Sequence, residues 1–324
     1  MRFVFCLLLC FAYGLAYAQP DSLYIKPETV PDLSVPVWVK INKAGLDISQ
    51  VAFVNWNAGG TNSISGLFGF LSERNYKKNH LVWNNKLEAK YGINKQDGIS
   101  VRKTDDLLEF SSALGYRKSI TSNWYYSSKF NFKTQFSNGY NYGNEGAKPI
   151  SRFMSPGYLF LGAGAAYGEH IESFSAYLSP LTLKTTFVLD ERLANLGAFG
   201  VEPAVYDDEG NRIRRGQKVR KELGILVTTN HETQLTTNIH IKNELSLYTD
   251  YINDFGNIDV DWLLNVDFKV NEFVKATLGS HIRYDNDIKV QKEVENAEGD
   301  TEYVDDGARV QWKQLLAIGV IVGF

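Results

Sequence analysis

The chain has 324 residues, 18 Tyr, 19 Phe, 6 Trp and 27 Gly, only two Cys, and a formal net charge of −3. That near-neutral, slightly acidic balance gives no electrostatic footprint for nucleic acid. No apolar stretch after the first eighteen residues approaches the roughly 18 positions of a membrane-spanning helix, and mean hydropathy is −0.24.

Residues 1–18 read as a secretory signal peptide for Sec export. Arg2 supplies the positive end, Phe3 to Leu15 the apolar region, and Ala16-Tyr17-Ala18 the small-x-small site, with cleavage expected after Ala18. Both cysteines, Cys6 and Cys10, lie inside this segment. Residues 19–324 therefore exclude disulfides, thiolate metal sites and cysteine nucleophiles. A lipoprotein reading would need Cys10 as the acylated residue, but Leu9 precedes it where a small residue is required. Residues 19–44 carry Pro20, Pro27, Pro31 and Pro36 and are expected to form an irregular periplasmic leader.

From Gly45 the pattern becomes alternating. Strands are expected to begin near residues 45, 63, 80, 106, 122, 157, 171, 219, 237, 258, 273 and 312. Leu108, Phe110, Leu114 and Tyr116 oppose Glu109, Ser111, Ala113 and Gly115. Trp124, Tyr126, Phe130, Phe132 and Phe136 oppose Lys129, Asn131, Lys133 and Gln135. Ile239, Ile241, Leu245, Leu247 and Tyr251 oppose His240, Lys242, Glu244, Ser246 and Asp250. The clearest case is Val260, Trp262, Leu264, Val266, Phe268 and Val270 against Asp259, Asp261, Leu263, Asn265, Asp267 and Lys269. A helix would mix these two sets on one surface. Val274, Ala276, Leu278, Ser280, Ile282 and Tyr284 then oppose Lys275, Thr277, Gly279, His281 and Arg283. The last segment alternates Leu316, Ile318, Val320, Val322 and Phe324, the way an outer-membrane barrel ends; a buried strand of a soluble sheet is the alternative.

The connections sort into two classes. Short turns are expected at Glu73–Asn79, Arg117–Thr121, Gly168–His170, His231–Thr236 and Val270–Phe273. Long outer loops are expected at Gly92–Asp105, Ser137–Pro156, Asp190–Lys218 and Asp285–Gln311, with shorter outer ones at Asn57–Asn62 and Asn253–Asn257. A two-sheet soluble sandwich has no reason to sort its loops this way. Trp56, Trp83, Tyr91, Trp124, Tyr251, Tyr284 and Trp312 stand at strand ends, where amphipathic rings meet headgroups. The expected fold is an all-β, antiparallel, up-and-down transmembrane β-barrel of about twelve strands. Both termini would be periplasmic, in the outer membrane of a Gram-negative bacterium.

The first hairpin, "GLDISQVAFVNWNAGGTNSISG" from Gly45 to Gly66, resembles a family of Bacteroidota outer-membrane barrels known only as a domain of unknown function. Its members share an Asn-Trp-x-x-Gly-Gly-x-x-Ser hairpin, matched here by Asn55, Trp56, Gly59, Gly60 and Ser63. The stretches "LSPLTLKTTFV", "GAFGVEP", "NIDVDW" and "RYDND" extend the likeness over most of the chain. The resemblance implies an outer-membrane barrel and no activity. On the residues alone, the two glycines serve a tight turn and Trp56 an interface anchor.

The residues expected to face the lumen carry both signs. Lys86, Lys90, Lys129, Lys133, Lys242, Lys269, Lys275, Arg283 and Lys313 stand against Asp47, Glu88, Glu109, Glu222, Glu244, Asp250, Asp259, Asp261 and Asp267. A strongly selective pore would show one sign at its constriction; balance suggests cross-linking ion pairs. Among the five histidines, His240 and His281 should face the lumen, His80 and His170 fall at strand ends and His231 in a turn. Ser280 cannot serve His281, because neighbours in a strand point to opposite faces; no enzyme is expected, with an outer-membrane hydrolase using His281 and an acidic residue across the strands as the minor alternative. Asp207 to Asn211 and Asp285-Asn286-Asp287 are rich in oxygen ligands without the spacing of a calcium loop, and no metal or cofactor is expected. "NRIRRG" (Asn211 to Gly216) is a basic run that could touch lipopolysaccharide phosphates.

The expected function is a narrow passive channel or small-solute transporter. The alternative is a closed scaffold barrel that binds envelope proteins through its leader and outer loops. Expected partners are outer-membrane lipid and lipopolysaccharide, and the barrel-assembly machinery through Leu316, Ile318, Val320, Val322 and Phe324.

Overall fold

The computed structural model describes residues 35–52, 61–142, 148–168, 173–252, 255–295 and 301–323. Twelve antiparallel strands close into one barrel. They are β1 (Val37–Val51), β2 (Ser63–Lys78), β3 (Leu81–Gln96), β4 (Arg102–Tyr116), β5 (Trp124–Thr134), β6 (Gly157–Tyr167), β7 (Phe174–Phe187), β8 (Val219–Thr236), β9 (Ile239–Asp250), β10 (Asp259–Lys269), β11 (Val274–Tyr284) and β12 (Gln311–Gly323). Each pairs with its sequence neighbours, and β1 closes the ring against β12, with Lys43 opposite Gly323 and Ile48 opposite Ile318. Closure leaves the twelve barrel strands without an edge, so the barrel sheet presents no row of unpaired N–H and C=O groups.

The period-two pattern dictates which side chains point out. Leu46, Ile48, Phe68, Leu87, Phe110, Leu114, Leu278, Leu316, Ile318, Val320 and Val322 are all exposed on the outer face. Leu316 is 75 % and Ile318 63 % exposed. An apolar surface that continues round the wall needs an apolar surrounding, since water-facing proteins rarely expose contiguous apolar patches beyond a few hundred Å².

The largest departures of the strand boundaries from the sequence expectation lengthen the walls, while the strands expected to include Phe136, Tyr251 and Val270 stop one or two residues short of them. β1 begins at Val37, so the last residues of the segment expected as leader, 37–44, are barrel wall paired with Leu71–Lys77 and Phe70 of β2. Lys40, Asn42 and Lys43 broke the apolar alternation and hid this extension. Glu73 to Lys78 continue β2, and the turn is Asn79–His80, where Asn79 takes φ 46°. His231 likewise lies within β8, and its turn comes only after Thr236. The loop expected from Gly92 to Asp105 shrinks to residues 97–101. Asn55, Trp56, Gly59, Gly60, His170 and Phe324 lie outside the described residues.

β7 carries one extra residue against both neighbours. Ala163 pairs with Leu181 and Ala165 with Leu178 on one side; Gly224 pairs with Thr182 and Leu226 with Ser179 on the other. Pro180 sits in this bulge, the place where a strand tolerates a residue without an N–H. The Ser179 hydroxyl donates within reach of Ala163 O (3.1 Å) and Leu181 O (3.0 Å), and Tyr251 Oη donates to Pro180 O at 2.6 Å. Gly164 and Gly224 flank the bulge, and a Cβ on either would stand 2.0 Å from a backbone oxygen, Leu178 O or Thr249 O.

The long connections have structure of their own. Residues 188–218 hold a short helix α1 (Glu191–Asn195), whose first turn is capped by Asp190 Oδ1 accepting from Leu193 N at 3.0 Å. They also hold a small core of Val188, Leu193, Ala194 and Val201. This loop ties to its neighbour through Arg152–Asp190 at 3.0 Å and Asp190 N to Ser155 Oγ at 2.8 Å. The connection before β12 carries a hairpin, Lys289–Glu295 with Thr301–Ala308.

Candidate functional site: the barrel lumen

Inward-facing positions alternate with the apolar outer ones, so the polar set of each strand meets inside. Near the turn end, Glu88 bridges Lys86 (2.6 Å) and Lys90 (2.5 Å), and Lys242 meets Glu244 at 2.9 Å. His240 Nε2 lies 2.9 Å from Glu232. Asp267 accepts from Lys275 at 3.3 Å and from Thr277 Oγ1 at 2.5 Å. Lys129 stands 4.5 Å from the centre of the Tyr177 ring, a cation held by an aromatic face. Lys269 lies exposed at the turn end of β10, opposite Lys275.

Higher in the lumen, Asp261 gathers three partners: Lys133 at 3.1 Å, His281 Nε2 at 2.7 Å and Arg283 Nε at 3.5 Å. Lys133 belongs to β5 and Asp261 to β10, strands five steps apart round a ring of twelve. Lys313 of β12 meets Asp105 of β4 at 2.6 Å, across four steps. A lysine and an aspartate can touch this way only if facing walls come close. The lumen is therefore flattened, and side chains cross it rather than line it.

Toward the long loops, Lys184 reaches Asp259 (2.8 Å), Glu222 (3.6 Å) and Asp285 (3.9 Å), and Arg220 reaches Asp287 (2.9 Å) and Glu222 (3.5 Å). Arg220 Nη1 also donates to Gly200 O at 3.1 Å, which brings the turn of the loop 188–218 over the mouth. An apolar layer accompanies the charges: Val82, Tyr125, Ala166, Tyr177, Leu226 and Tyr248, with Phe160 packed against them.

Of the residues expected to face the lumen, Lys133, His240, Lys242, Glu244, Asp259, Asp261, Asp267, Lys275, His281 and Arg283 take part in the ion pairs described above and Lys129 in the ring contact, while Lys269 lies exposed at the turn end. What sequence reasoning missed is Lys184 and Arg220, the two cations at the mouth. Lys184 sits in a run of threonines, Thr182, Thr185 and Thr186, where polar residues occupy both faces and the alternation loses its sign.

Three of the polar clusters on the outer face are met by a tryptophan. Trp83 Nε1 donates to Ser112 Oγ (2.9 Å), which donates to Asn85 Oδ1 (2.8 Å). Trp262 Nε1 donates to Asn243 Oδ1 (2.6 Å), and Trp312 Nε1 to Ser280 Oγ (3.0 Å). Ser280 thus points away from His281, onto the opposite face of β11.

A family model described as a protein of unknown function, DUF3078, matches residues 48–140, a narrower span than the sequence resemblance implied. No curated protein matches the chain. Among solved structures, the translocator domain of the autotransporter NalP from Neisseria meningitidis is similar at 10% identity, covering 100% of this chain and 95% of that one, with a TM-score of 0.35. An outer membrane channel from Pseudomonas putida F1 is similar at 11% identity, covering 92% of this chain and 99% of that one, with a TM-score of 0.39. At such identities and scores the likenesses carry no argument about what the chain does.

Proposed function

We propose that this protein is an outer-membrane barrel whose narrow, wet lumen passes ions and small polar solutes passively. The observation that carries this reading is the state of the lumen charges. Lys133 and Asp261 bridge the lumen yet keep 28 % and 30 % of their side-chain surface open, and Lys242 and Glu244 keep 28 % and 34 %. A dry interior would charge a heavy desolvation penalty for so many ionised groups. Room for water beside each pair means a hydrated path, and direct contact across it means a narrow one. In planar bilayers the purified barrel is expected to show small, non-saturating conductance. An electrically silent and impermeable barrel would defeat the proposal.

A second reading is a closed scaffold that binds envelope proteins through its outer loops. The turn held over the mouth by Arg220 favours it. Crosslinking in cells would then find a stoichiometric partner, and a measured conductance without such a partner counts against it. Catalysis has no part in either reading: His281 is committed to Asp261, and loss of an envelope activity in His240→Ala and His281→Ala together would contradict that. Leu316, Ile318, Val320 and Val322 form the outward stripe through which the assembly machinery would take up the chain.

Placement in a bilayer gives the tryptophan pairs a measurable role. Asn243 faces outward in mid-strand, where hydrocarbon offers no donor. Trp262→Phe leaves its amide oxygen unpaired and is expected to cost about 1–3 kcal/mol. Asn243→Leu added to Trp262→Phe should recover most of that loss. Urea unfolding in lipid vesicles reads both.

A further inference from the structure

On the outer wall a polar row interrupts the apolar face near the short turns. Lys40 of β1, Arg74 of β2 and Asn85 of β3 stand side by side in register, on the face that also carries Leu46, Phe68 and Leu87. Lys40 is directly opposite Arg74. Like charges so placed destabilise a sheet. No anion of the protein offsets them: the outward positions of β1, β2 and β3 hold no acidic residue. Lys40 is exposed, and among the described residues no hydrogen bond or ion pair engages its ammonium.

Arg74 is held in place by neutral groups alone. Its Nη1 donates to Glu73 O at 2.7 Å, to Asn42 Oδ1 at 3.0 Å and to Ile41 O at 3.4 Å. Asn42 Oδ1 also accepts from Ser72 Oγ at 3.1 Å, and Asn85 Nδ2 donates to Arg74 O at 3.2 Å. A guanidinium carries its donors on three nitrogens, and these bonds use one of them. The network fixes the fork and leaves its charge uncompensated, which is costly on a lipid-facing wall. One row nearer the turns, about 7 Å along the strand, the Trp38 ring lies 5.1 Å from Tyr76 and 6.1 Å from Trp83. Trp38 is 47 % and Trp83 41 % exposed. Amphipathic rings of this kind sit at the level of lipid headgroups, so the two cations lie just inside that level.

We propose that Lys40 and Arg74 bind the phosphate of one acidic phospholipid in the leaflet at the short-turn end, an inference that rests on the outer-membrane reading above. A phosphate diester carries one negative charge and several acceptor oxygens. It would take the remaining Arg74 donors in charge-assisted hydrogen bonds and pair with the Lys40 ammonium, separating the two cations. Trp38 and Trp83 would flank the glycerol and the first part of the acyl chains. A headgroup with a positive group of its own, such as choline, would add a third cation to the row and is disfavoured there.

The test is native mass spectrometry of the full-length barrel, refolded in detergent from denatured chain so that no lipid carries over, with phosphatidylglycerol or phosphatidylcholine added. One phosphatidylglycerol should be retained about tenfold better than phosphatidylcholine, and each cation removed should weaken its retention about fivefold, first in Lys40→Gln and then in Lys40→Gln with Arg74→Gln. Lys40 bonds to nothing among the described residues, so Lys40→Gln reads the site even if loss of Arg74 disturbs the strands. Lys221→Gln removes an exposed cation at the loop end of β8 and should leave retention unchanged. Equal retention of the two lipids, or retention that survives Lys40→Gln, overturns the proposal. A lipid-free dimer that Lys40→Gln dissociates overturns it too, by giving this face to a second copy of the chain. A barrel that proves impermeable leaves the inference standing, whereas a chain that stays soluble without detergent removes it together with the outer-membrane reading.

Discussion

Asp261→Asn is expected to raise single-channel conductance severalfold and to weaken the barrel at the same time. Asp261 is the one carboxylate that Lys133, His281 and Arg283 share. Neutralising it frees Lys133 from the facing wall and leaves two cations repelling each other across a flattened lumen. The three side chains are about a third exposed, so water compensates part of the loss. A destabilisation of about 1–3 kcal/mol is expected rather than the larger cost of stranding a fully buried charge. Lys133→Met should also raise conductance but cost less stability, because Asp261 keeps His281 and Arg283. The lumen left by Asp261→Asn carries excess positive charge and should shift toward anions, whereas Lys133→Met should shift toward cations. Bilayer recordings with asymmetric salt, paired with urea unfolding, separate the two effects. Equal conductance in wild type and both variants would mean that this ion pair does not lie on the path.

Gly164→Val and Gly224→Val are expected to abolish folding of the barrel. At each, a new Cβ would meet a backbone oxygen at 2.0 Å, Leu178 O for one and Thr249 O for the other. Overpacking usually costs about 1–3 kcal/mol because side chains can shift. Here the obstacle is the main chain of a neighbouring strand, and moving it would break the ladder on both sides of the Pro180 bulge. Gly69 provides the control: nothing lies within 4 Å of its Cβ position, so Gly69→Ala should fold. The mobility of unheated samples on a denaturing gel distinguishes folded from unfolded barrel. Normal folding of Gly164→Val would show that the bulge is not the tight junction described.

Much of the wall could be read from residue order because a strand with one apolar face announces itself. Val260, Trp262, Leu264, Val266 and Phe268 keep one face apolar without a break, and β10 covers Asp259–Lys269, one residue short of the expected Val270. Leu316, Ile318, Val320 and Val322 likewise stand on the outer face of β12. Boundaries failed where polar residues occur on the outer face. Asn42, Ser72 and Arg74 are joined there by hydrogen bonds of 3.1 and 3.0 Å, and that polar patch erased the period of β1 and β2 near the turn. Parity also told which charges face inward, but not which of them touch. Contact between Lys133 and Asp261, far apart in sequence, depends on strand stagger and on how far the ring is flattened. Neither is written in any local pattern. The mouth was harder still: Tyr248 belongs to a face otherwise read as polar, and its burial beside Lys184 is visible only once the strands around it are in place.

The account rests on one face of each strand meeting hydrocarbon while the other meets water. The most direct measurement is a single-cysteine scan of β10 in the barrel reconstituted in lipid vesicles, with Cys6 and Cys10 absent, probed by a small membrane-impermeant thiol reagent. Labelling should alternate: strong for cysteines at Asp261, Asn265 and Asp267, negligible at Val260, Leu264 and Val266. Even labelling along the strand, or labelling of the Val260 set alone, would contradict it.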